Sequence, residues 1–148
     1  MEPEFKLAAL SDIDTLIELM RELYLYDHLS FNEEVARAAL PLILSNPLFG
    51  QVHLICLGED VIGYLVLTFG FSLEYGGRDA FIDEFYLREK WRGRGIGKIG
   101  LQFAAEVCRG QGVQALHLEV ERANVKAQAV YRRAGFVDHD RYLMTKYL

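Results

Sequence analysis

The sequence predicts an α/β domain on a mixed sheet, and three features predict it. Strand-period and helix-period segments follow one another in the order β-α-α-β-β-β-α-β-α-β. Two apolar, β-branched runs, Gln51 to Leu57 and Val61 to Phe69, flank Gly58-Glu59-Asp60, a hairpin signature. A glycine-rich loop, Arg92-Gly93-Arg94-Gly95-Ile96-Gly97-Lys98, joins a strand-like segment to a helix-like one. The expected architecture is a central sheet of six to seven strands flanked by four helices, all within a single domain spanning 1–148.

Each element has a local reason. Phe5 to Leu10 reads as the first strand, and Ser11 as the N-cap of a helix with Asp12 and Asp14 in its first turn. Ile13, Leu16, Ile17, Met20, Leu23 and Tyr24 fall on one face of that helix. Asn32 caps a second helix that Pro41 bends or shortens and Asn46-Pro47 ends. Gly70 to Arg78 reads as a mobile connection, and Ala80 to Leu87 as the strand before the glycine loop. Lys98 to Arg109 is helical and is closed by Gly110 and Gly112. Ala115 to Val120 is a strand, Asn124 caps a helix through Ala134, and Gly135 is its C′ residue. Phe136 to Val137 and Tyr142 to Tyr147 complete the prediction as strands.

Composition narrows the function. A hydrophobic content of 51 % with 25 % charged residues is that of a soluble globular protein. No apolar run reaches the length of a membrane span, and the acidic start lacks a signal peptide's basic flank, so a cytoplasmic protein is expected. A formal net charge of -5 argues against DNA or RNA as partner. The scattered histidines and the lone Cys56 and Cys108 predict no metal site and two buried thiols.

Against that acidic background the cations of the glycine loop stand out. Glycines at alternate positions let the backbone approach a ligand closely. The first-turn amides of the following helix are unpaired, with the positive end of the helix dipole behind them. Arg92, Arg94 and Lys98 add full charges at the same place. That combination suits a phosphate or pyrophosphate. The spacing fits neither a dinucleotide fingerprint, because Gly100 lies inside the helix, nor a P-loop, which would end in Gly-Lys-Ser/Thr.

The pattern Arg92-x-x-Gly95-x-Gly97 after the strand FIDEFYL, followed by Asn124-Val125-Lys126-Ala127-Gln128-Ala129-Val130-Tyr131 and Ala134-Gly135-Phe136, resembles the acetyl-CoA-binding core of the GNAT acetyltransferase superfamily. The resemblance covers about residues 51 to 147, and the element order of residues 5 to 45 also fits. It implies a GNAT fold and an N-acetyltransferase, with acetyl-CoA as acyl-donor cosubstrate and a homodimer as a common assembly. It also implies that the amides of Arg92, Gly93, Arg94, Gly95, Ile96, Gly97 and Lys98 hold the pyrophosphate. Backbone groups of Phe85, Tyr86 and Leu87 would bind the pantetheine arm, and Asn124 and Ala127 would join the cofactor-binding set. Tyr131 would stand by the CoA sulfur and protonate the leaving thiolate.

The chemistry needs a base as well. A lysine-like amine has a pKa of about 10.4 and must lose a proton before attacking a thioester. Asp83 and Glu84 lie beside the implied acetyl site, and strand alternation sends them to opposite faces, so either could be the base, directly or through water. Tyr24, Tyr26, Asp27 and His28, with Glu74 and Tyr75, are the expected substrate contacts. Asp27, Glu74, Asp79, Asp83 and Glu84 motivate a cationic small-molecule amine as acceptor: a polyamine, amino acid derivative or aminoglycoside. Neither cysteine is placed for a covalent intermediate, so direct transfer in a ternary complex is expected. The alternatives are a protein or peptide acetyltransferase, which an open 70–78 segment would favour, and a catalytically silent acetyl-CoA sensor.

Overall fold

The computed structural model describes residues 1–148. In chain order the elements are β1 (Glu4–Leu7), α1 (Ile13–Tyr26), α2 (Glu33–Ser45), β2 (Gly50–Leu57), β3 (Asp60–Ser72), β4 (Gly77–Leu87), α3 (Ile96–Gly110), β5 (Ala115–His117) and α4 (Val125–Arg133). Short 3-10 turns at Leu10–Asp12 and Glu89–Trp91 precede α1 and α3. The chain falls into two compact units, Met1–Leu118 and Glu119–Leu148. No helix is long and apolar enough to cross a membrane.

The first unit holds a five-stranded sheet in the order β1-β2-β3-β4-β5, antiparallel except for the parallel β4–β5 pair. One face carries α1 and α2: Leu16, Ile17, Leu19 and Leu23 of α1 pack with Val52, Leu54, Tyr64, Val66 and Tyr86 of the sheet. Full burial of each such side chain contributes about 1.5–3 kcal/mol. On the other face Ile55 and Ile62 meet Ile96 at the start of α3, with Phe85, Leu87 and Trp91 around them. Gly100 permits this closeness, since a Cβ there would lie 2.4 Å from Cζ of Phe85.

Four helices are present as expected, but five strands replace the predicted six to seven. β5 stops at His117 instead of Val120, and Phe136 to Val137 and Tyr142 to Tyr147 form no strand. A strand is defined by its ladder, and this tail has none; Val137, Tyr142, Leu143, Met144 and Tyr147 are all exposed. The apolar composition that suggested strands is there without a pairing partner.

Two boundaries also move. The Gly70 to Arg78 segment is not a mobile connection: Gly70↔Asp79, Phe71↔Arg78 and Ser72↔Gly77 extend the β3–β4 ladder to a tight turn at 73–76. Helix α1 begins at Ile13 instead of after Ser11, because Asp12 accepts a hydrogen bond from the Ala9 amide and closes a 3-10 turn first. The Asn caps stand as read: Asn32 accepts from Val35 N and Asn124 from Ala127 N, both at 3.1 Å. Pro41 lies inside α2, which continues to Ser45.

In the second unit α4 ends in a Schellman motif. Phe136 N donates to Tyr131 O and Gly135 N to Arg132 O, with Gly135 at φ 99°.

His53 on β2 is 6 % exposed, packed edge-on to Phe103 at 4.9 Å. Its Nε2 pairs with Gln51 Oε1 at 2.8 Å, while Nδ1 is buried without a partner. Burial lowers its pKa from 6.5 to about 4. The unfolded chain therefore binds this proton first, and the stability held above pH 6.5 is lost as pH falls towards the folded value. In urea melts at pH 7 and pH 5, His53→Leu should lose about 2 kcal/mol less than the wild type on acidification. Equal losses would show that His53 does not carry the acid sensitivity.

Candidate active site

The predicted acids Asp83 and Glu84 lie at an irregularity in β4. Val66 pairs with Glu84 and Leu67 with Ile82, so Asp83 is an extra residue, a β-bulge. Thr68 pairs with Phe81, so Phe81 and Glu84 share the α1 face although they are three residues apart. The alternation that put Asp83 and Glu84 on opposite faces therefore does not hold through this point.

Glu84 is held from two elements. The Tyr24 hydroxyl, on α1, donates to Oε2 at 2.5 Å, and the Tyr64 hydroxyl, on β3, donates to Oε1 at 2.7 Å. Tyr64 is completely buried, so Glu84 satisfies a phenol that would otherwise be orphaned. Burial raises the Glu84 carboxyl above its ordinary range; the two phenols oppose this, and the charges of Asp83 and Asp27 add to it. Burial and the Glu84 charge push both phenols up, so Tyr24 and Tyr64 remain donors. Asp83 keeps solvent contact, and desolvation alone raises its carboxyl. The nearby arginines take Glu18, Glu22 and Glu33 instead, leaving Asp27, Asp83 and Glu84 without a cation.

Beyond the bulge β4 parts from β5. The two pair only at Asp79↔Ala115, Ala80↔Leu116 and Phe81↔His117, so β5 does not pair with Phe85, Tyr86 and Leu87, where Leu87 O accepts from Arg92 Nε. Such an edge is a ready row of backbone donors and acceptors. The Glu89–Trp91 turn then leads into the glycine loop, where Gly93 and Gly95 sit at φ 74° and 81°. A Cβ at Gly93, Gly95 or Gly97 would meet nothing within 4 Å, so the loop faces open space. The Arg92 amide donates to Glu89 O, whereas the amides of Gly93, Arg94, Gly95, Ile96, Gly97 and Lys98 find no acceptor in the protein. Helix α3 starts at Ile96, one residue after its N-cap, and directs its dipole at this loop. The arrangement is an anion cradle beside a strand edge that β5 leaves unpaired.

The expected substrate contacts fall in two places. Tyr24 bonds Glu84, Tyr26 closes α1 with its ring over Arg92, Asp27 is the C-cap, and His28 takes a left-handed φ of 57°. Glu74 and Tyr75 lie in the β3–β4 turn. Tyr75 packs on His117 at 4.6 Å, and His117 Nε2 pairs with Asp79 Oδ2 at 3.1 Å. Asp79 therefore belongs to a histidine pair, apart from the carboxylates at the bulge.

In the second unit Asn124 is an N-cap with Ala127 as its donor, and Tyr131 packs edge-on to Phe136 at 6.1 Å. Cys56 and Cys108 are free, buried thiols whose pKa burial raises, which makes them poor nucleophiles. Sequence reasoning missed Tyr64 and the Glu22–Arg88 pair. The only signal for Tyr64 was a phenol within the apolar run Val61 to Phe69.

Comparison with known proteins agrees with this geometry. The sequence profile of the Acetyltransferase (GNAT) family matches residues 13–136. The thialysine N-epsilon-acetyltransferase of Bos taurus is 29 % identical over 142 residues, covering 86 % of this chain and 79 % of that protein. An integron cassette protein from the mobile metagenome of Cole Harbour Salt Marsh superposes with a TM-score of 0.85 at 36 % identity, over 97 % of this chain and 90 % of its own. An acetyltransferase from Clostridium acetobutylicum, solved with acetyl-CoA, shares the fold at a TM-score of 0.83 and 18 % identity, over 97 % and 96 % of the two chains. The chain belongs to the GNAT acetyltransferase family, acyltransferases that take their acetyl group from acetyl-CoA.

Proposed function

We propose that this enzyme acetylates a primary amine of a small cationic molecule by direct attack within a ternary complex. The observation that carries the acceptor class is the trio Asp27, Asp83 and Glu84, gathered without a cation of their own. Burial and the neighbouring charges of Asp83 and Asp27 raise the Glu84 carboxyl, and an ammonium group placed there would relieve it. The bovine relative's acceptor, thialysine, carries such a group. An ordered 70–78 segment favours a small acceptor over a peptide.

The loop fits the donor. Amides without acceptors, glycines at positive φ and open space in front of them suit a pyrophosphate, held by Gly93 to Lys98 with Arg94 and Lys98 as counter-charges. The edge of Phe85, Tyr86 and Leu87 that β5 leaves unpaired would take the pantetheine arm, and Asn124 and Ala127 keep the cofactor role that the family motif implies for them. When bound, acetyl-CoA supplies an acetyl thioester. The family match spans both compact units, which supports reading 1–148 as one acetyltransferase domain.

The chain's own groups then divide the work. Glu84, fixed by two phenols, receives the positive charge of the acceptor. Asp83, unpaired and raised by desolvation, takes the proton from the attacking amine, directly or through water. Backbone amides at the splayed edge stabilise the developing oxyanion, and Tyr131 returns a proton to the leaving sulfur.

The first experiment is a CoA-release assay with polyamines, amino acids including thialysine, aminoglycosides and short lysine peptides. Turnover on cationic small amines supports the reading; turnover on peptides alone replaces it with the protein acetyltransferase. Tight acetyl-CoA binding with no turnover at all supports the sensor. Asp83→Asn should lower kcat about a hundredfold or more and remove the acidic limb of the pH profile, which rises through the raised Asp83 pKa. Glu84→Gln should chiefly raise the acceptor KM, and the reverse pattern would exchange the two roles. Tyr131→Phe should lower kcat with little change in acetyl-CoA affinity; unaltered turnover removes Tyr131 from the mechanism. Gly95→Asp places a carboxylate in the anion cradle at φ 81° and should abolish acetyl-CoA binding by calorimetry.

A further inference from the structure

Arg92 opens the glycine loop, but its side chain lies against α1. Its Nε donates to Leu87 O at 2.7 Å, which ties the end of β4 across the Glu89–Trp91 turn. Its guanidinium carbon stands 4.2 Å from the centroid of the Tyr26 ring and 5.3 Å from that of Tyr86. Together with Glu22, Leu25 and Glu89 these residues line a cleft of about 270 Å³.

The two rings around Arg92 differ in how they are held. Tyr86 is buried and donates to Glu22, and Glu22 is fixed by Arg88, which also bonds Glu18 and Val61 O. Tyr26 is 62 % exposed and sits on the last turn of α1. That turn is followed by the left-handed His28 and carries Tyr24, the Glu84 partner. A rigid ring on one side, a loosely held one on the other and a cation between them form a clamp.

We infer that Arg92 is a positioning residue for the amine acceptor and not a ligand of the donor's phosphates. By gripping Tyr26 it holds the last turn of α1, and through Tyr24 the acceptor wall, against the end of β4 where the donor loop begins. The inference rests on reading Gly93 to Lys98 as the acetyl-CoA site and the bulge as the acceptor site. The guanidinium plane and its Nε–H are what the contacts use, so a lysine should not replace it.

The test compares Arg92→Met, Arg92→Lys, Tyr26→Leu and the Tyr26→Leu/Arg92→Met double variant, with Arg94→Met and Lys98→Met as loop controls. Three readouts are taken: hydrogen exchange of the amides of residues 24–29, acetyl-CoA Kd at low and high salt, and KM for thialysine as the acceptor probe. Arg92→Met should speed that exchange and raise the acceptor KM about five- to tenfold, the size a partly desolvated cation–π contact supplies. Its acetyl-CoA Kd should stay within about twofold of wild type, with unchanged salt dependence. Tyr26→Leu and Arg92→Lys should match it, and the double variant should be no worse than either single. If Arg92→Met weakens acetyl-CoA binding as the loop controls do, if lysine restores function, or if the two single effects add, the clamp is overturned. If Arg94→Met and Lys98→Met also leave acetyl-CoA binding untouched, the loop reading falls and takes the clamp with it.

Discussion

Inserting Asp83 opposite the Val66–Leu67 step of β3 does three things at once. It rotates the end of β4 so that Glu84 and Tyr86 face α1, where Tyr24 and Glu22 receive them. It leaves Asp83 outside the ladder, solvated and without a counter-ion. It also marks where β4 leaves β5, since their pairing ends at Phe81 and His117. A regular strand would send the two acids to opposite faces. The placement of the Asp83 and Glu84 carboxyls and the course of β4 towards the loop both follow from that one added residue.

Electrostatics divides this end of the sheet into two fields. On the α1 face, desolvation dominates: it raises Glu84 and Asp83 and keeps Tyr24 and Tyr64 protonated. At the start of α3, unpaired amides and the helix dipole favour an anion, with Arg94 and Lys98 alongside. Neither field is neutralised internally, although the chain spends salt bridges elsewhere, as between Arg88 and Glu18 or Glu22. Charges left unpaired on opposite sides of one strand end suit a reaction that joins a cationic partner to an anionic one.

What the sequence revealed was local. The glycine loop, the Asn32 and Asn124 caps, the Gly135 terminus and the β2–β3 hairpin are each written within a few adjacent residues, and each is found where those residues stand. The bulge has no such signature, because FIDEFYL alternates well enough to be read as a regular strand. Tyr64 became visible only when register brought it to Glu84, twenty positions away in the chain. The extra strands at Phe136 to Val137 and Tyr142 to Tyr147 failed for a related reason. Composition reports what could pair, whereas a strand needs a ladder, and these residues belong to none.

The same distinction separates the strong from the weak joints of α1. Arg88 makes charge-assisted bonds to Glu18 and Glu22 and a further bond to Val61 O, which fixes the middle of the helix to the ends of β3 and β4. The last turn has no ion pair, and Tyr24 alone hydrogen-bonds it to Glu84. Its backbone closes with Leu29 N donating to Tyr24 O around the left-handed His28, a conformation disfavoured for a side chain with a Cβ, and its Tyr26 ring leans on Arg92. A single cation–π contact is worth less than the Arg88 network, so the exposed Tyr26 end of this turn is more easily displaced than the middle of the helix. It is also the part that carries the Tyr24 hydroxyl to Glu84, and its fixed point is the residue from which the donor loop departs. The end of α1 is thus tied to the residue that opens the glycine loop, through a contact weak enough to yield.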